Sequence, residues 1–347
     1  MHLTVLLGGT SSERDVSIAS GVRMATALVE RGHDVRVVDP ATGVLQLGEL
    51  TAGVRVDPPS AEELARLRAG GAAARLLTLP ELLDAEVVVL ALHGGHGEDG
   101  TIQALLDMAG VRYTGSGHLA SALAMDKDLS KRIFRQAGVR TADWLMLAGG
   151  VTQVVEDEVA ATVERTIGYP VVVKPSKQGS TVGLGIVRKR EELMAAIAEA
   201  FNHDDEVMLE RFIPGRELTV TVLGGEAFPI GEIIPSKELY DYECKYTPGM
   251  AVEIFPADLE DNVATLLQEQ AVRAFHALKL RGCARIDFRL TADGESYCLE
   301  ANTLPGMTGT SLVPQAAAAA GVGFEELCER IVRLALDDAP IATLEDG

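Results

Sequence analysis

The dipeptide Asp293-Gly294 constrains the fold of this chain more than any other feature of its sequence. It lies between two runs in which apolar and polar residues alternate, and Asp-Gly in that position favours a two-residue type I′ turn between antiparallel strands. If Ala292 pairs with Glu295 across the turn, every residue of one strand acquires a defined partner on the other. The sequence therefore predicts a β-hairpin of known register.

This register groups polar side chains on one face of the hairpin. It places Asp287 opposite Glu300 and Arg285 opposite Asn302, because side chains alternate between the two faces of a strand. The other face is apolar and should belong to a hydrophobic core, with the members Ile286, Phe288, Leu290, Tyr297 and Leu299.

The two opposed carboxylates, Asp287 and Glu300, would repel each other and destabilise the hairpin unless a cation lies between them. Their oxygens and that of Asn302 suit Mg²⁺ held partly by substrate phosphates, whereas Zn²⁺ would require His or Cys. The alternative is a solvated face whose charges are offset by flanking arginines. We expect a magnesium site.

The N-terminal region has the pattern of a parallel sheet. Residues 3–7 and 34–38 are strand-like, and a Gly-rich loop and a helical pattern over 16–31 separate them. A strand-helix-strand order implies parallel strands, and the apolar run over 86–92 predicts another strand buried on both faces. We expect a Rossmann-like parallel-sheet domain over residues 1–117.

The rest of the chain alternates between helical and strand-like patterns that suggest two more units. We expect helices over 121–137, 191–201, 259–280 and 324–336, and strands over 171–174, 207–212 and 218–223. The expected domains are 118–212 and 213–340. The fold class is therefore α/β and α+β in three domains, a number that fits a chain of 347 residues.

Charge and composition exclude several classes of partner. A formal net charge of −20 would repel nucleic acids and anionic membrane surfaces, so neither is expected to bind. The N-terminus shows no basic leader and no apolar stretch is long enough to span a membrane, so we expect a cytoplasmic protein. The four cysteines form no C-x-x-C pair, and we expect them reduced and mostly buried.

The segment 95–100 satisfies the G-x-G-x-x-G pattern of dinucleotide-binding proteins. Glu98 and Asp99 within it would repel a pyrophosphate, so we favour a tight, substrate-facing turn that requires glycine. A nicotinamide-dependent dehydrogenase remains the alternative. Lys127 and Lys174 are candidate phosphate ligands, although each could instead be a salt-bridged structural lysine.

Taken together, several long motifs resemble the D-alanine:D-alanine ligase family of the ATP-grasp superfamily, and the resemblance runs from Leu6 to about Leu336. In chain order they are LLGGTSSERDVSIASG, ALHGGHGEDGTIQ, YTGSG, MDK, VVVKPSKQGSTVGLG, YDYECKY, RIDFRL and LEANTLPGMTGTSLVP. The resemblance implies a three-domain ATP-grasp fold that binds ATP between two antiparallel sheets. It also implies a ligase that makes D-alanyl-D-alanine for peptidoglycan through an acyl phosphate.

The resemblance implies the site residues as well. Those for ATP are Lys127, Lys174, Glu210, Ile213 and Glu217. Those for two Mg²⁺ ions, with Mn²⁺ as a possible substitute, are Asp287, Glu300 and Asn302.

Other matching residues would bind the amino acids. Glu13 would receive the ammonium of the first D-alanine in a triad with Ser180 and Tyr246, and His93 would lie in the same pocket. Arg285 and the Gly306 amide would stabilise the oxyanion. The subsite for the second D-alanine would be formed by Lys245, Ser311 and Leu312.

The segment 240–250 is expected to close over the site as a mobile lid. The family commonly forms homodimers, and we expect one here. The alternatives are a ligase of the same fold that uses D-lactate or D-serine as its second substrate, or an ATP-binding module without turnover.

Overall fold

The computed structural model describes residues 1–50, 59–69, 76–151, 154–179, 181–236 and 249–337. Within these ranges the strands form three β-sheets, and helices pack on the sheet faces. The described helices are all too short or too polar to cross a bilayer. Cys283, Cys298 and Cys328 are free and buried, as expected, whereas Cys244 lies outside the described residues.

The N-terminal sheet contains β1 (His2–Leu6), β2 (Asp34–Asp39), β3 (Gly43–Leu45) and β4 (Val87–Leu90) in the order β3-β2-β1-β4. Strand β1 runs parallel to β2 and β4, so the predicted parallel sheet is confirmed, and the short β3 is an antiparallel edge. The helices of this region are α1 (Arg14–Glu30), α2 (Leu47–Leu50), α3 (Ala61–Ala69), α4 (Pro80–Leu83) and α5 (Thr101–Ala109).

The predicted helix over 121–137 is interrupted at Asp126. Helix α6 (His118–Met125) ends there and α7 (Lys127–Gln136) begins, because Asp126 is extended, with φ −80° and ψ 102°. Its carboxylate accepts a hydrogen bond from the Leu129 amide at 3.0 Å, which is an N-cap. The break places Lys127 in the first turn of α7.

The middle sheet is antiparallel and has the order β5-β8-β6-β7. Its strands are β5 (Trp144–Ala148), β6 (Val171–Pro175), β7 (Gly185–Val187) and β8 (Glu206–Arg211). Two helices, α8 (Glu156–Thr166) and α9 (Arg190–Phe201), bury apolar residues against one face, which leaves the other face available for a ligand.

The C-terminal sheet is also antiparallel, with the order β12-β11-β9-β13-β14 and with β10 beside β9. Its strands are β9 (Arg216–Leu223), β10 (Glu226–Ala227), β11 (Gly231–Pro235), β12 (Ala251–Ile254), β13 (Cys283–Leu290) and β14 (Ser296–Asn302). Helix α10 (Asp261–Ala277) packs on its apolar face. The last helices, α11 (Leu312–Ala319) and α12 (Phe324–Asp337), share a core with β1 and α1.

The predicted two-residue turn at Asp293-Gly294 is wrong by one residue. Thr291 faces Glu295, with the Thr291 amide 3.0 Å from the Glu295 carbonyl, so the loop has three residues. Gly294 has φ +84°, the left-handed conformation that such loops require at their last position. The pairing of Ala292 with Glu295 is therefore incorrect.

A β-bulge at Leu299 cancels this error further along the hairpin. Strand β14 carries one extra residue between the pairs Phe288–Cys298 and Asp287–Glu300, so the predicted partners of Asp287 and Arg285 are correct. The predicted core members Ile286, Phe288 and Leu290 are buried. Tyr297 and Leu299 are only half-buried, and Ser296 and Cys298 take the core positions instead.

Candidate active site

Residues from the middle and C-terminal sheets line one cleft that contains about 1030 Å³ of empty space, including its open mouth. All five predicted ATP-binding residues line it. The lining includes Lys127, Val172, Lys174, Glu210, Phe212, Ile213, Glu217, Arg285, Asp287, Arg289, Leu299 and Glu300.

The floor of the cleft is one polar face shared by β9, β13 and β14. Across these strands Glu217 is opposite Arg289, Thr219 opposite Asp287, and Thr221 opposite Arg285. On β14, Glu300 lies opposite Asp287 and Asn302 lies opposite Arg285, as predicted, so these two rows extend across three strands. Adjacent rows therefore place acidic and basic side chains side by side.

Asp287 is buried and its carboxylate is held from three directions. Arg285 donates from Nε at 2.9 Å to Oδ1 and from Nη2 at 2.9 Å to Oδ2. The Thr219 hydroxyl donates to Oδ1 at 2.7 Å, and the Asn302 amide donates to Oδ2 at 3.0 Å. Thr219 was not singled out from the sequence, although its position on the same strand face as Glu217 is visible there.

Lys127 extends from the start of α7 toward this floor. Its Nζ lies 3.4 Å from a Glu300 oxygen and donates to the Gln178 carbonyl at 2.7 Å. The predicted lysine therefore lies beside the predicted metal ligands and contacts the loop after β6.

The chemistry of the predicted metal ligands fits Mg²⁺. Two carboxylates and one amide meet on the cleft floor, and Mg²⁺ is usually bound by one or two carboxylates together with substrate phosphates. Among the described residues there is no cluster of three or more His, Cys, Asp or Glu side chains that could hold a metal alone. A set completed by a phosphate is the arrangement these residues support.

Glu210 lies on the opposite wall, between two lysines. Its Oε2 accepts from Lys174 at 2.6 Å, and its Oε1 accepts from Lys131. Burial alone would raise the pKa of Glu210, but Lys131 and Lys174 outweigh it and hold that pKa at about 2. Lys131 was not predicted from the sequence, although its position four residues after Lys127 puts both lysines on one side of α7.

Burial lowers the pKa of the fully buried Lys131, while Glu210 acts in the opposite direction. Lys131 also donates to the Thr141 hydroxyl, which donates to the Cys298 carbonyl at 2.7 Å on β14. The two antiparallel sheets are thereby connected by polar contacts at the back of the cleft.

Glu13 immediately precedes helix α1 and is buried beneath two glycine-containing loops. A Cβ on Gly94 would lie 2.9 Å from Glu13 Oε2, and one on Gly179 would lie 3.2 Å from it. Ser11 lies two residues before Glu13, and its hydroxyl donates a hydrogen bond to the His93 carbonyl at 2.5 Å. The predicted residues Glu13 and His93 are therefore brought together, close to the loop after β6.

The 95–100 segment is a tight turn, as expected, and not a phosphate cradle. Gly94, Gly95 and Gly100 have positive φ, and the Gly94 amide donates to Glu98 at 2.7 Å. Burial, with a further contribution from the nearby charge of Glu13, raises the pKa of Glu98 to about 8. These contacts argue against the dinucleotide-binding interpretation.

The loop 303–311 brings Gly306 next to Ser311. A Cβ on Gly306 would lie 2.7 Å from the Ser311 Oγ, so a larger residue there would displace the Ser311 hydroxyl. The Ser311 hydroxyl accepts from the Thr308 amide at 2.9 Å, and Leu312 is buried at the start of α11. Ser180, Lys245 and Tyr246 lie outside the described residues, as does most of the predicted lid.

Comparison with known proteins gives a consistent result. Family models for the D-ala D-ala ligase N-terminus and C-terminus match residues 2–116 and 133–333. The D-alanine–D-alanine ligase of Syntrophotalea carbinolica is 42% identical over 330 residues, which cover 95% of this chain and 94% of that protein. The D-alanine–D-alanine ligase of Halalkalibacterium halodurans is 40% identical, with 97% and 99% covered.

This chain belongs to the D-alanine–D-alanine ligase family. Among solved ligase structures, that from Bacillus anthracis complexed with ATP is 32% identical with a TM-score of 0.76, covering 97% of both chains. The ligase from Coxiella burnetii is 28% identical with a TM-score of 0.80, covering 97% of this chain and 94% of the other. The ATP-grasp fold expected from the resemblance is therefore confirmed.

Proposed function

We propose that this chain is an ATP-dependent ligase that joins two D-alanine molecules into D-alanyl-D-alanine for peptidoglycan precursor synthesis (EC 6.3.2.4). One observation carries the proposal: Lys127 and Lys174 line the same cleft as the paired carboxylates Asp287 and Glu300. This combination of cations and hard oxygen ligands suits a nucleotide polyphosphate. Binding of ATP is further supported by the ATP complex of the Bacillus anthracis ligase.

We assign the nucleotide to the cleft between the two antiparallel sheets. Glu210 would accept a hydrogen bond from the adenine amino group, Ile213 would pack on the ring, and Glu217 would accept hydrogen bonds from the ribose hydroxyls. Arg289 supports this end of the cleft, since it donates to Glu217 at 3.1 Å and to the Ile213 carbonyl at 3.1 Å. Lys127 and Lys174 would contact the phosphates.

Asp287, Glu300 and Asn302 would hold two Mg²⁺ ions, or Mn²⁺ in their place. When bound, the ions would neutralise charge on the transferring phosphoryl group. The carboxylate pair is positioned for this by the strand pairing of β13 and β14, and Thr219 and Arg285 orient Asp287.

The first D-alanine would be held by Glu13 through its ammonium group. Its carboxylate would attack the γ-phosphorus of ATP, forming an acyl phosphate and releasing ADP. Positioning and charge neutralisation by Lys127 and Lys174 would supply most of the acceleration. Glu13 is suited to the ammonium because its carboxylate is buried near Gly94 and Gly179.

The second D-alanine would attack the acyl carbonyl with its neutral amine. The C–N bond forms, an oxyanion develops beside Arg285 and the Gly306 amide, and the C–O bond to phosphate then breaks as inorganic phosphate leaves. Ser311 and Leu312 would line the subsite, together with Lys245. Ser180 and Tyr246 would close the first subsite with Glu13.

We propose domains at 1–117, 118–212 and 213–340, a homodimer, and a cytoplasmic location, where ATP is available as co-substrate. Sedimentation velocity would test the dimer, because a monomer at micromolar concentration would contradict it.

The decisive experiment supplies ATP and Mg²⁺ with D-alanine alone or with D-lactate or D-serine added, and measures phosphate release and product mass. D-alanyl-D-alanine should dominate at neutral pH. A depsipeptide or D-alanyl-D-serine as main product would favour the alternative second substrates. ATP binding without phosphate release would favour a non-catalytic module, and chelation of Mg²⁺ should stop the reaction.

A further inference from the structure

Ser20 and His93 hold both ends of the segment Leu304–Met307. The His93 Nδ1 lies 2.9 Å from the Leu304 carbonyl oxygen, and its Nε2 lies 3.0 Å from the Ser20 Oγ. The Met307 amide donates to the same Ser20 Oγ at 3.1 Å. All four residues are more than nine-tenths buried, and Ser20 is fully inaccessible. Gly306 lies between the two anchored residues.

The direction of each hydrogen bond in this group follows from the chemistry of the partners. A carbonyl oxygen can only accept, so His93 must carry a proton on Nδ1. Burial lowers the pKa of His93, so the ring is neutral and its Nε2 carries no proton. The Ser20 hydroxyl therefore donates to Nε2 and accepts from the Met307 amide.

A second residue of helix α1, Arg23, also holds the segment Leu304–Met307. Arg23, one turn after Ser20 on α1, donates to the carbonyls of Met307 at 3.2 Å and Thr308 at 2.5 Å. Its guanidinium lies 3.6 Å from the centre of the Phe324 ring on α12. Helix α1 thus connects the turn that carries Glu13 to the loop that carries Gly306.

We propose that Ser20 is a positioning residue that fixes the direction of the Gly306 amide through its hydrogen bonds to Met307 and to neutral His93. This rests on the proposed function, in which that amide stabilises the oxyanion of the second step. Without the hydroxyl, a buried Met307 amide and a buried His93 nitrogen both lose their partner, so the segment must shift. The Nε2 lone pair of His93 is already used, so His93 is not the base that deprotonates the second D-alanine.

The first test compares Ser20→Ala with Thr26→Ala. Thr26 lies on the same helix, and its hydroxyl donates only to the carbonyl of Val22 at 2.9 Å, so its loss touches no part of the segment. We expect Ser20→Ala to lower kcat for dipeptide formation by about tenfold or more, because small displacements of a catalytic donor are costly. KM for ATP and for the first D-alanine should stay within about twofold.

Positional isotope exchange in ATP with D-alanine separates the two chemical steps. Acyl phosphate formation should proceed in Ser20→Ala at nearly the wild-type rate, because the Gly306 amide acts afterwards. An unchanged kcat, or equal losses of isotope exchange and dipeptide synthesis, would overturn the proposal. Failure of the proposed function is distinguishable, since the wild-type protein would then make no D-alanyl-D-alanine.

A second measurement observes the hydrogen bonds of His93 in the wild-type protein. Two-bond ¹H–¹⁵N correlation spectra of the ¹⁵N-histidine wild-type protein should show His93 as the neutral Nδ1–H tautomer between about pH 6 and 9. His93→Gln identifies the signal among the seven histidines. An Nε2–H tautomer, or protonation of His93 within that range, would contradict the assigned hydrogen bonds and with them the role of Ser20.

Discussion

The guanidinium of Arg285 forms a paired hydrogen bond with the carboxylate of Asp287, at 2.9 Å from Nε and 2.9 Å from Nη2. The two residues are separated by one position on β13, so both side chains lie on the cleft floor. Opposite them on β14 are Asn302 and Glu300. The predicted oxyanion donor therefore also offsets part of the charge of the predicted metal ligand.

Replacing Asp287 with Asn should remove a metal ligand without changing the size of the side chain. We expect kcat to fall by at least about a hundredfold, since charge stabilisation of the transferring phosphoryl group is lost. The thermal midpoint should also fall, because the buried carboxylate that pairs with Arg285 is lost, so kcat is compared at a temperature where both proteins are folded. Asp293→Asn in the exposed hairpin loop is the matched control and should keep wild-type turnover. Turnover of Asp287→Asn within tenfold of wild type would remove Asp287 from the metal site.

Replacing Glu210 with Gln should destabilise the fold as well as weaken ATP binding. The carboxylate neutralises two buried ammonium groups, those of Lys131 and Lys174. Leaving them unpaired should cost about 3–5 kcal/mol in the free energy of unfolding, measured by urea denaturation. Glu199→Gln is the control, because Glu199 pairs with His203 on the surface and should cost under about 1 kcal/mol. Equal effects of the two substitutions would contradict this role.

Stability should fall between mildly acidic pH and about pH 8, because over that range Glu98 keeps its proton only in the folded chain. Its pKa is raised to about 8 by burial and by Glu13, so the folded chain retains a proton that the unfolded chain loses near the ordinary Glu pKa. This contribution to stability is complete below the ordinary Glu pKa of about 4.3, declines progressively as the pH rises, and is fully lost once the pH passes about 8. Glu98→Gln should flatten the decline of Tm between pH 6 and 9, whereas Glu30→Gln should not. Parallel Tm profiles for the wild type and Glu98→Gln would rule out this titration.

The contact between helix α1 and Leu7, directly after strand β1, requires a glycine at position 21. A Cβ there would lie 2.5 Å from the Leu7 Cβ, closer than packed carbon atoms allow. Gly21→Ala should therefore cost about 1–3 kcal/mol in the free energy of unfolding. Gly48→Ala is the control, because a Cβ at that position in α2 would meet nothing within 4 Å. Calorimetry of both variants measures this difference in stability. A Gly21→Ala variant as stable as the wild type would show that α1 can move away from Leu7.

Local patterns in the sequence were sufficient to predict β1, β2, β4 and α1 of the N-terminal region and the polar face of the hairpin, but not β3 or the short helices α2 to α4. They rest on side-chain periodicity and on residue types with strong backbone preferences, which act over a few residues. The length of the hairpin loop and the strand register beside it were predicted incorrectly, because a single residue changes either one. The three-residue loop and the bulge at Leu299 each shift the register by one position, and the pairing of Asp287 with Glu300 was correct only because the two shifts cancel.

The sequence by itself determined which groups are available: opposed carboxylates, two candidate phosphate-binding lysines and the loops that carry Glu13 and Gly306. Only the tertiary structure decided which of them meet. Lys131 joins Glu210 from 79 positions away, and Ser20 reaches Met307 across 287. Such contacts follow from how sheets and helices pack around shared cores, and no pattern within a short stretch of sequence encodes them.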